Sequence, residues 1–293
     1  MKFLVSIILN CKNGEKYLDE TLKSIKNQKY KNWELIFFDN NSTDKSYKIY
    51  KKNYEKRFRY FRSFKNLSLY QARNLALKKC KGNIIAFIDA DDWWAKNYLS
   101  SRENFFKNKK QDYSYSKVFL FDQRRKSTKV NIKENLPSGI IYSQLAKKYF
   151  IIISALIVKK KIFNQEGYFN KKFNILGDYE FVMKISKNNF AHSVSKALVY
   201  YRVHENNYSK IHKKEFYREY QIWFNQQNIK DKLFKKNQKN FEEMLKFIKL
   251  NYLVSEEFNL NLFLKIFELQ NFKSKINLLI KFFFPKIILN KLK

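Results

Sequence analysis

The 293-residue sequence predicts an α/β fold, in which a mainly parallel sheet is flanked by helices, with an appended C-terminal helical region. Three apolar runs, at residues 3–9, 33–38 and 84–88, have the composition of strands that are buried on both faces. Helical patterns separate the runs, and this alternation is typical of a parallel sheet. A polar cluster follows each run directly, at the edge where open α/β sheets bind their ligands.

The helices between these strands are predicted from apolar spacing and from capping residues. Apolar residues recur at helical intervals after the first strand, at Leu18, Leu22 and Ile25. Ser42 or Thr43 is a suitable N-cap for the helix that follows the second strand. Residues 69–79 have a third helical pattern, and Gly82 lies where a glycine commonly ends a helix.

The remainder of the chain divides into an irregular middle and a helical tail. The elements expected in the middle are a strand over 113–121, a turn at 137–139, an apolar run over 151–158, a helix beginning near 177 and an edge strand over 198–202. From about residue 213 there is no glycine, and lysine, glutamate, amides and bulky apolar residues dominate. This shift predicts several helices, and therefore one domain over 1–212 and a helical region over 213–293.

The formal net charge is +34, because 60 lysine and arginine residues face 26 aspartate and glutamate residues. A basic surface attracts phosphates, so a nucleic-acid-binding protein is one interpretation. Only nine of the basic residues are arginine, however, and abundant Asn, Ile, Phe and Tyr accompany the lysines, as in a codon-biased genome. The charge therefore indicates no ligand by itself. The 45% hydrophobic content is sufficient for a large core, which excludes disordered and collagen-like proteins.

The cysteines and the apolar runs bear on the compartment. Cys11 and Cys80 lie far apart without CxxC spacing, so neither a disulfide framework nor a zinc site is expected. The N-terminal apolar run is too short for a signal peptide, and no small-residue cleavage site follows it. No uncharged apolar stretch approaches the length of about 18 residues that spans a membrane. We therefore expect a cytoplasmic protein.

Three carboxylates occur within the four residues Asp89-Ala90-Asp91-Asp92, at the end of the third apolar run. Carboxylates this close repel one another, and the arrangement is costly unless a cation neutralises it. Mg²⁺ and Mn²⁺ prefer carboxylate oxygens and also bind phosphates. The alternative is a helix start with solvated charges. The position at the end of a buried strand favours a metal site.

Several motifs occur in a fixed order along the N-terminal half. They are Val5–Leu9 with the loop Asn10–Gly14, then Phe38–Asp44, Asn66–Ser68 with Ala72–Asn74, and Phe87–Asp92. In this order and spacing they resemble the family 2 glycosyltransferases, which have the GT-A fold. The resemblance is close over residues 2–95 and looser over 96–210, and the tail lies outside it. It implies an inverting glycosyltransferase that uses a nucleotide-sugar.

The resemblance also implies roles for individual residues. Those assigned to the nucleotide-sugar are Asn10, Asn13, Asp39, Arg73, Asp89 and Ala90. Asp39 matches the residue that accepts a hydrogen bond from the base, typically uracil, and Arg73 matches one near the base or phosphate. Asp91 would hold Mn²⁺ or Mg²⁺ on the diphosphate, and Asp89 would lie near the ribose or a metal-bound water.

Inverting transfer requires a general base, which the family usually carries as the Asp of a Glu-Asp pair at a helix start. Asp178 matches that base, although Gly177 stands where Glu is usual, and Glu180 is a second candidate. The alternative for Asp178 is a carboxylate that only stabilises the helix N-terminus. Tyr201–His204 resembles a late motif whose histidine approaches the metal, which makes His204 a metal ligand or an incidental histidine.

The end of the tail leaves two interpretations open. Residues 274–293 interleave lysines with bulky apolar residues, and Pro285 divides them into two short pieces. Such a segment can lie in an anionic membrane interface, which would make the protein peripheral on the inner face of the bacterial cytoplasmic membrane. The alternative is a helix that packs on the catalytic domain with its lysines in solvent.

The sequence is therefore identified as a glycosyltransferase that transfers a sugar from a nucleotide-sugar to a glycan or lipid-linked acceptor in bacterial surface-glycan assembly. The expected donor is a UDP-sugar. The alternatives are a nucleic-acid-binding protein and a catalytically silent module that only binds sugars. No nucleic-acid-binding motif is found, so nucleic acid is not an expected partner. The donor sugar, the acceptor and the formation of a homo-oligomer are left open.

Overall fold

A computed structural model describes residues 3–227, 231–256 and 260–283. The chain divides into two compact units, the first ending at His204 and the second beginning at Glu205. The sequence places the boundary after residue 212, so the two divisions differ by one short helix, Tyr208–Ile211, and the residues next to it.

The first unit is a mixed sheet covered by helices. Its strands are β1 (Val5–Cys11), β2 (Trp33–Asp39), β3 (Phe58–Arg62), β4 (Ile84–Asp89), β5 (Trp93–Trp94), β6 (Tyr113–Asp122), β7 (Ser127–Val130), β8 (Ile157–Lys159) and β9 (Ala191–Val203). The strand order is β3-β2-β1-β4-β8-β6-β9-β5, and β7 pairs with β6. β1 to β4 pair in parallel, as do β6 and β9, whereas the other pairs are antiparallel. The predicted α/β fold class is confirmed.

Helices connect the strands and form the second unit. In the first unit they are α1 (Leu18–Lys26), α2 (Ser46–Asn53), α3 (Leu69–Lys79), α4 (Glu103–Lys107), α5 (Tyr142–Lys147), α6 (Lys161–Glu166) and α7 (Gly177–Ile185). In the second they are α8 (Tyr208–Ile211), α9 (Lys213–Asn225), α10 (Lys232–Glu256), α11 (Leu260–Phe267) and α12 (Phe272–Phe283). The helical tail is confirmed.

The strand register brings the predicted polar clusters to one edge of the sheet. Asn10 pairs with Phe38 on one side and with Asp89 on the other, and Cys11 pairs with Asp39. The apolar residues that precede these clusters are buried, as strands covered on both faces require. Burial of these strands therefore fixes the relative positions of their polar ends.

Three details of the sequence prediction are wrong. Neither Ser42 nor Thr43 caps α2, because α2 begins only at Ser46, whose N–H donates to Asp44 Oδ1 at 2.9 Å. Gly82 is not a left-handed helix end, since α3 ends in an extended Cys80. Glycine is required at position 82 for another reason, because a Cβ there would collide with the backbone of Leu4 and Ser6. The predicted edge strand is part of β9, which lies between β6 and β5.

The second unit has an apolar core of its own. α10 packs against α9, α11 and α12, and the buried core residues are Leu250, Leu262, Ile266, Leu269 and Leu278. Of the basic aromatic segment 274–293, residues 284–293, including Pro285, lie outside the described residues. The described part of α12 buries Leu278, whereas Phe272 is 75% exposed. Within the described ranges, no helix combines the length and the apolar character needed to span a membrane.

Candidate active site

Asp39 ends β2 and is fully buried. Its Oδ1 accepts the Ser42 N–H at 2.7 Å and its Oδ2 accepts the Tyr60 hydroxyl at 2.6 Å, while Arg62 Nε lies 4.0 Å away. Burial raises the pKa of Tyr60 well above its ordinary value, and the hydrogen bond to Asp39 raises it further. These contacts fix the carboxylate at the sheet edge. Tyr60 was not identified from the sequence.

The first loop is held against the second by Asn13. This residue has a left-handed backbone with φ 53°, which asparagine tolerates better than most residues. Its side-chain oxygen accepts the Thr43 N–H at 2.9 Å, and its own N–H donates to Ser42 Oγ at 3.1 Å. The Asn10 side-chain amide is buried and has no hydrogen-bond partner among the described residues. In this structure Asn13 therefore joins the two loops.

The three neighbouring carboxylates at the end of β4 have three different environments. Asp92 is fully buried and accepts hydrogen bonds from Ser154 Oγ at 2.6 Å and from the Arg202 N–H at 2.9 Å. Both Asp92 oxygens are therefore engaged by the protein, which gives this carboxylate a structural role. Asp89 Oδ1 accepts a hydrogen bond from Arg73 at 2.9 Å. Burial raises the Asp89 pKa to about 6, because the charge of Arg73 only partly offsets it.

Arg73 is buried beneath the sheet edge, with its guanidinium over the rings of Tyr70, Phe87 and Phe169 at 5.4–5.9 Å. One of its terminal nitrogens pairs with Asp89, and the other is buried with no partner among the described residues. The structure therefore places Arg73 under the first carboxylate of the motif. An unsatisfied buried donor is costly, so this nitrogen favours a further acceptor at the site.

Asp91 and His204 meet at this edge, as the sequence predicts for a metal site. Asp91 Oδ2 lies 2.9 Å from His204 Nε2, and the Tyr17 ring lies 5.2 Å from the imidazole. The neighbouring Ala90 carbonyl accepts a hydrogen bond from Thr21 Oγ1 at 2.9 Å, which holds the backbone between the two aspartates. Asp91 retains 32% of its side-chain exposure, so it is accessible to a ligand.

The donor set of Asp91 and His204 is compatible with a divalent cation. Among the described residues, no set of three or more His, Cys, Asp or Glu side chains is arranged to hold a metal. Mg²⁺ commonly takes only one or two protein ligands and completes its shell with phosphate oxygens and water. A carboxylate oxygen beside an imidazole nitrogen fits Mn²⁺ or Mg²⁺ in this way, provided that a phosphate-bearing ligand supplies further oxygens.

Arg202 joins the motif to the rest of the unit, and its role was not recognised in the sequence. The guanidinium lies between the Tyr17 and Trp93 rings, each 4.4 Å away. Its Nε donates to the Asp91 carbonyl at 2.9 Å, and one terminal nitrogen forms an ion pair with Glu20. Arg202 thereby holds the backbone of Asp91 close to β9, the strand that leads into His204. The Tyr-Arg-x-His pattern was the available signal.

Asp178 lies at the start of α7. Its Oδ1 accepts the Tyr70 hydroxyl at 3.2 Å and the Tyr179 N–H at 2.7 Å. Burial raises the Asp178 pKa above its ordinary value, although the nearby charge of Arg73 opposes this. Asp178 in turn contributes to the raised Asp89 pKa, so the two carboxylates lie within electrostatic range. The structure therefore brings the predicted base close to the motif.

Gly177 accommodates Tyr70. A Cβ at position 177 would lie 2.5–2.7 Å from three ring carbons of Tyr70, closer than atoms can approach. The departure from the usual Glu-Asp pair therefore has a packing reason. Glu180, the second candidate base, has one oxygen buried without a hydrogen-bond partner among the described residues, and the other lies 3.9 Å from Lys184.

Comparison with known proteins identifies the family. The family model described as glycosyl transferase family 2 matches residues 6–175, more than half of the chain. The chain belongs to glycosyltransferase family 2. This chain is 31% identical over 219 residues to WfaP of Escherichia coli, a UDP-Glc:alpha-D-GlcNAc-diphosphoundecaprenol beta-1,3-glucosyltransferase. The match covers 74% of this chain and 84% of WfaP.

Further comparisons agree with this family 2 assignment. WfgD of Escherichia coli, described by the same activity, is 26% identical, with 75% of this chain and 85% of WfgD covered. Two solved structures share the fold. TarS of S. aureus with UDP has a TM-score of 0.55 at 20% identity, covering 86% of this chain and 71% of that chain. The mannosyltransferase PcManGT of Pyrobaculum calidifontis, with GDP-Man and Mn²⁺, has a TM-score of 0.63 at 14% identity, covering 98% and 88%.

In this family 2 glycosyltransferase, Arg202→Lys should lower the free energy of unfolding by about 2–3 kcal/mol. Lysine keeps the charge but cannot reproduce the planar contacts with Tyr17, Trp93, Glu20 and Asp91. Urea unfolding of both proteins measures the difference. Arg125→Lys, on the exposed turn between β6 and β7, is the matched control and should leave stability unchanged. Equal stability of all three proteins would contradict the role of Arg202.

Proposed function

We propose that the protein is an inverting, metal-dependent glycosyltransferase that moves a sugar from a UDP-sugar to a hydroxyl group of a glycan or lipid-linked glycan. The product would be part of a bacterial surface polysaccharide, lipooligosaccharide or glycoprotein glycan. The main observation in support is the grouping of Asp178, Asp89 and the Asp91–His204 pair at one end of the sheet. Two relatives are named as transferring glucose from UDP-Glc to a lipid-linked diphosphate sugar, which supports both substrate classes.

The donor would bind across the ends of β1, β2 and β4. Asp39, fixed by Tyr60 and the Ser42 N–H, would accept a hydrogen bond from the base, because each carboxylate oxygen can accept more than one donor. The loop joined by Asn13 and the end of β1 at Asn10 would line the nucleoside. Solved neighbours bind UDP, UDP-GlcNAc and GDP-Man, which supports a nucleotide-sugar but leaves the base to experiment.

The motif residues would bind the diphosphate. Asp91 and His204 would hold Mn²⁺ or Mg²⁺, and Asp89 with Ala90 would lie against the ribose and sugar. A divalent cation held there supplies positive charge for the leaving diphosphate. Arg73 keeps Asp89 oriented through their ion pair at 2.9 Å. The Mn²⁺ in the PcManGT structure supports metal use within this fold.

Asp178 would act as the general base. Tyr70 and the Tyr179 N–H fix its carboxylate in position, and burial makes it a stronger base than an exposed aspartate. The acceptor hydroxyl would lose its proton to Asp178 as its oxygen bonds to the anomeric carbon, and the bond from that carbon to the diphosphate would break. Because attack comes from the face opposite the leaving group, the anomeric configuration would invert.

We also propose that the protein works at the inner face of the cytoplasmic membrane. The α12 helix presents Phe272, 75% exposed, and Ile276, 42% exposed, four residues apart and beside lysines. Apolar side chains flanked by lysines favour an anionic membrane interface. A lipid-linked acceptor, as in the names of WfaP and WfgD, would be reached from such a position.

Asp178→Asn should lower the turnover number for sugar transfer by about 10²–10⁴-fold, because the variant cannot take the acceptor proton. Binding of the nucleotide-sugar should be unchanged, since Asp178 would contact the acceptor side. Transfer assays and calorimetric titration with UDP-sugars in the presence of Mn²⁺ measure the two properties. The control is Glu180→Gln, two residues after Asp178 on the same helix, and this variant should retain activity. Near-normal transfer by Asp178→Asn would exclude it as the base.

The transfer rate should fall on the acid side of neutrality. Burial raises the Asp178 pKa above its ordinary value, so its carboxylate becomes protonated at a higher pH than an exposed aspartate and can no longer accept a proton. The rate is therefore full above the raised pKa and is lost as the pH falls through it. Turnover at saturating donor and acceptor, measured from about pH 4 to 8, gives the profile. A rate that stays flat down to about pH 4 is the contradictory result.

Asp91→Asn should weaken Mn²⁺ binding by about tenfold or more, because a neutral amide replaces a charged ligand. Electron paramagnetic resonance of free Mn²⁺, with UDP present, measures the affinity without any need for turnover. Glu103→Gln on the exposed part of α4 carries the same change of charge and should bind Mn²⁺ normally. Equal Mn²⁺ affinity of both variants and the original protein would contradict the metal site.

A screen of UDP-, GDP- and other nucleotide-sugars tests the proposal as a whole. Thermal stability is measured for each compound with and without Mn²⁺, since a ligand that binds the folded state raises the unfolding temperature. We expect a UDP-sugar to raise the unfolding temperature only when Mn²⁺ is present. If no nucleotide-sugar stabilises the protein, the chain is a catalytically silent member of its family.

A further inference from the structure

The second unit contains a cavity of about 510 Å³ where α8, α9 and the end of α10 meet. Positive charge dominates its lining, which includes Lys213, Lys214 and Arg218 of α9. The carboxylates that line it are Glu215 and Glu256. All of its lining residues lie between positions 210 and 256, so the cavity uses no residue of the first unit.

The lining carboxylates do not neutralise these cations. Glu215 is engaged by the Tyr208 hydroxyl at 3.3 Å and lies 3.8 Å from His212 Nδ1. Glu256 is close enough to attract Lys213 but forms no ion pair with it within the described ranges. Lys214 and Arg218 lie four residues apart on one face of α9, and neither forms an ion pair with a described residue. An excess of positive charge therefore faces the cavity.

Lys213, which lines the cavity, is also close enough to repel Lys281 of α12. Burial lowers the pKa of Lys213 and of Lys281, and the charge of Lys213 lowers the Lys281 pKa further. Lys281 donates to the neutral Asn251 Oδ1 at 2.7 Å, which satisfies a donor but does not cancel a charge. Two half-buried ammonium groups that repel each other are stabilised when an anion lies between or beside them.

The backbone favours the same kind of ligand. Lys213 begins α9, a helix of 13 residues, and its N-cap residue His212 makes no side-chain capping hydrogen bond. The first N–H groups of a helix have no acceptor within the helix, and the helix dipole adds partial positive charge there. Lysine and arginine side chains beside a helix N-terminus form the arrangement that binds phosphate groups.

We propose that this cavity binds a phosphate or diphosphate ester, held by Lys213, Lys214 and Arg218 at the N-terminus of α9. The phosphate could belong to a lipid headgroup or to a water-soluble diphosphate, which share the chemistry that the cavity recognises. This site goes beyond the proposed sugar transfer, because it uses none of the residues proposed to bind the donor or to act as the base. It gives the helical unit a binding function of its own.

The test compares the full-length protein with Lys213→Gln/Lys214→Gln/Arg218→Gln. The matched control is Lys232→Gln/Lys235→Gln/Lys236→Gln, which removes the same charge from exposed positions on α10. Inorganic pyrophosphate is titrated by calorimetry in the presence of a chelator, so that no metal-dependent diphosphate site contributes. Binding to phosphatidylglycerol vesicles, with phosphatidylcholine vesicles for comparison, forms the second arm. Lys214→Gln/Arg218→Gln, which changes only exposed residues, replaces the triple variant if that variant does not fold.

We expect saturable binding of at least one probe to the original protein and to the control, weakened about tenfold or more in the cavity variant. Pyrophosphate binding would identify a soluble phosphate as sufficient, whereas vesicle binding alone would identify a lipid headgroup. Equal loss in the cavity variant and the control would overturn the proposal, because it shows only diffuse charge attraction. Saturable binding of neither probe would overturn it as well. These results do not depend on whether the first unit transfers sugar.

Discussion

The buried guanidinium of Arg202 is the constraint on which the carboxylate end of the sheet depends. It lies between two aromatic rings and pairs with Glu20 of α1, while its Nε holds the Asp91 carbonyl. A buried cation is costly unless its donors are satisfied, so every segment that meets Arg202 must keep its place. Displacement of any of these segments would leave charge unsatisfied in the interior. The geometry of the Asp91–His204 pair follows from this requirement.

The three neighbouring carboxylates at this end of the sheet each have a different partner. Asp89 turns toward Arg73, Asp91 toward His204, and Asp92 toward Ser154 and the Arg202 N–H. Asp89 and Asp91 both keep about a third of their side-chain exposure, at 34% and 32%, whereas Asp92 is fully buried. Of the two exposed carboxylates, Asp91 has the partner that can serve as a second metal ligand. Three carboxylates that look alike in the sequence therefore differ in the structure: Asp89 is paired with an arginine, Asp91 is paired with a histidine, and Asp92 is buried and structural.

The parts of the molecule that the sequence predicts well are those that depend on local pattern. Strands buried on both faces and the polar residues that end them can be read from runs of a few residues, and the parallel register then brings them together. The contacts of Tyr70 with Asp178 and of Arg202 with Asp91 join residues 108 and 111 positions apart. No periodicity encodes such pairs, because they depend on how elements pack. The helix start at Ser46 was missed because Asp44, two residues before it, supplies the local hydrogen bond.

The absence of a side chain at Gly177 has a consequence for how this sequence can change over time. The ring of Tyr70 occupies the space that any Cβ at position 177 would need, and its hydroxyl binds Asp178. The residues allowed at positions 70 and 177 therefore depend on each other. Any substitution that adds a side chain at 177 must displace the aromatic ring at 70, and with it the hydrogen bond to Asp178. A residue larger than glycine at 177 therefore requires a smaller residue at 70.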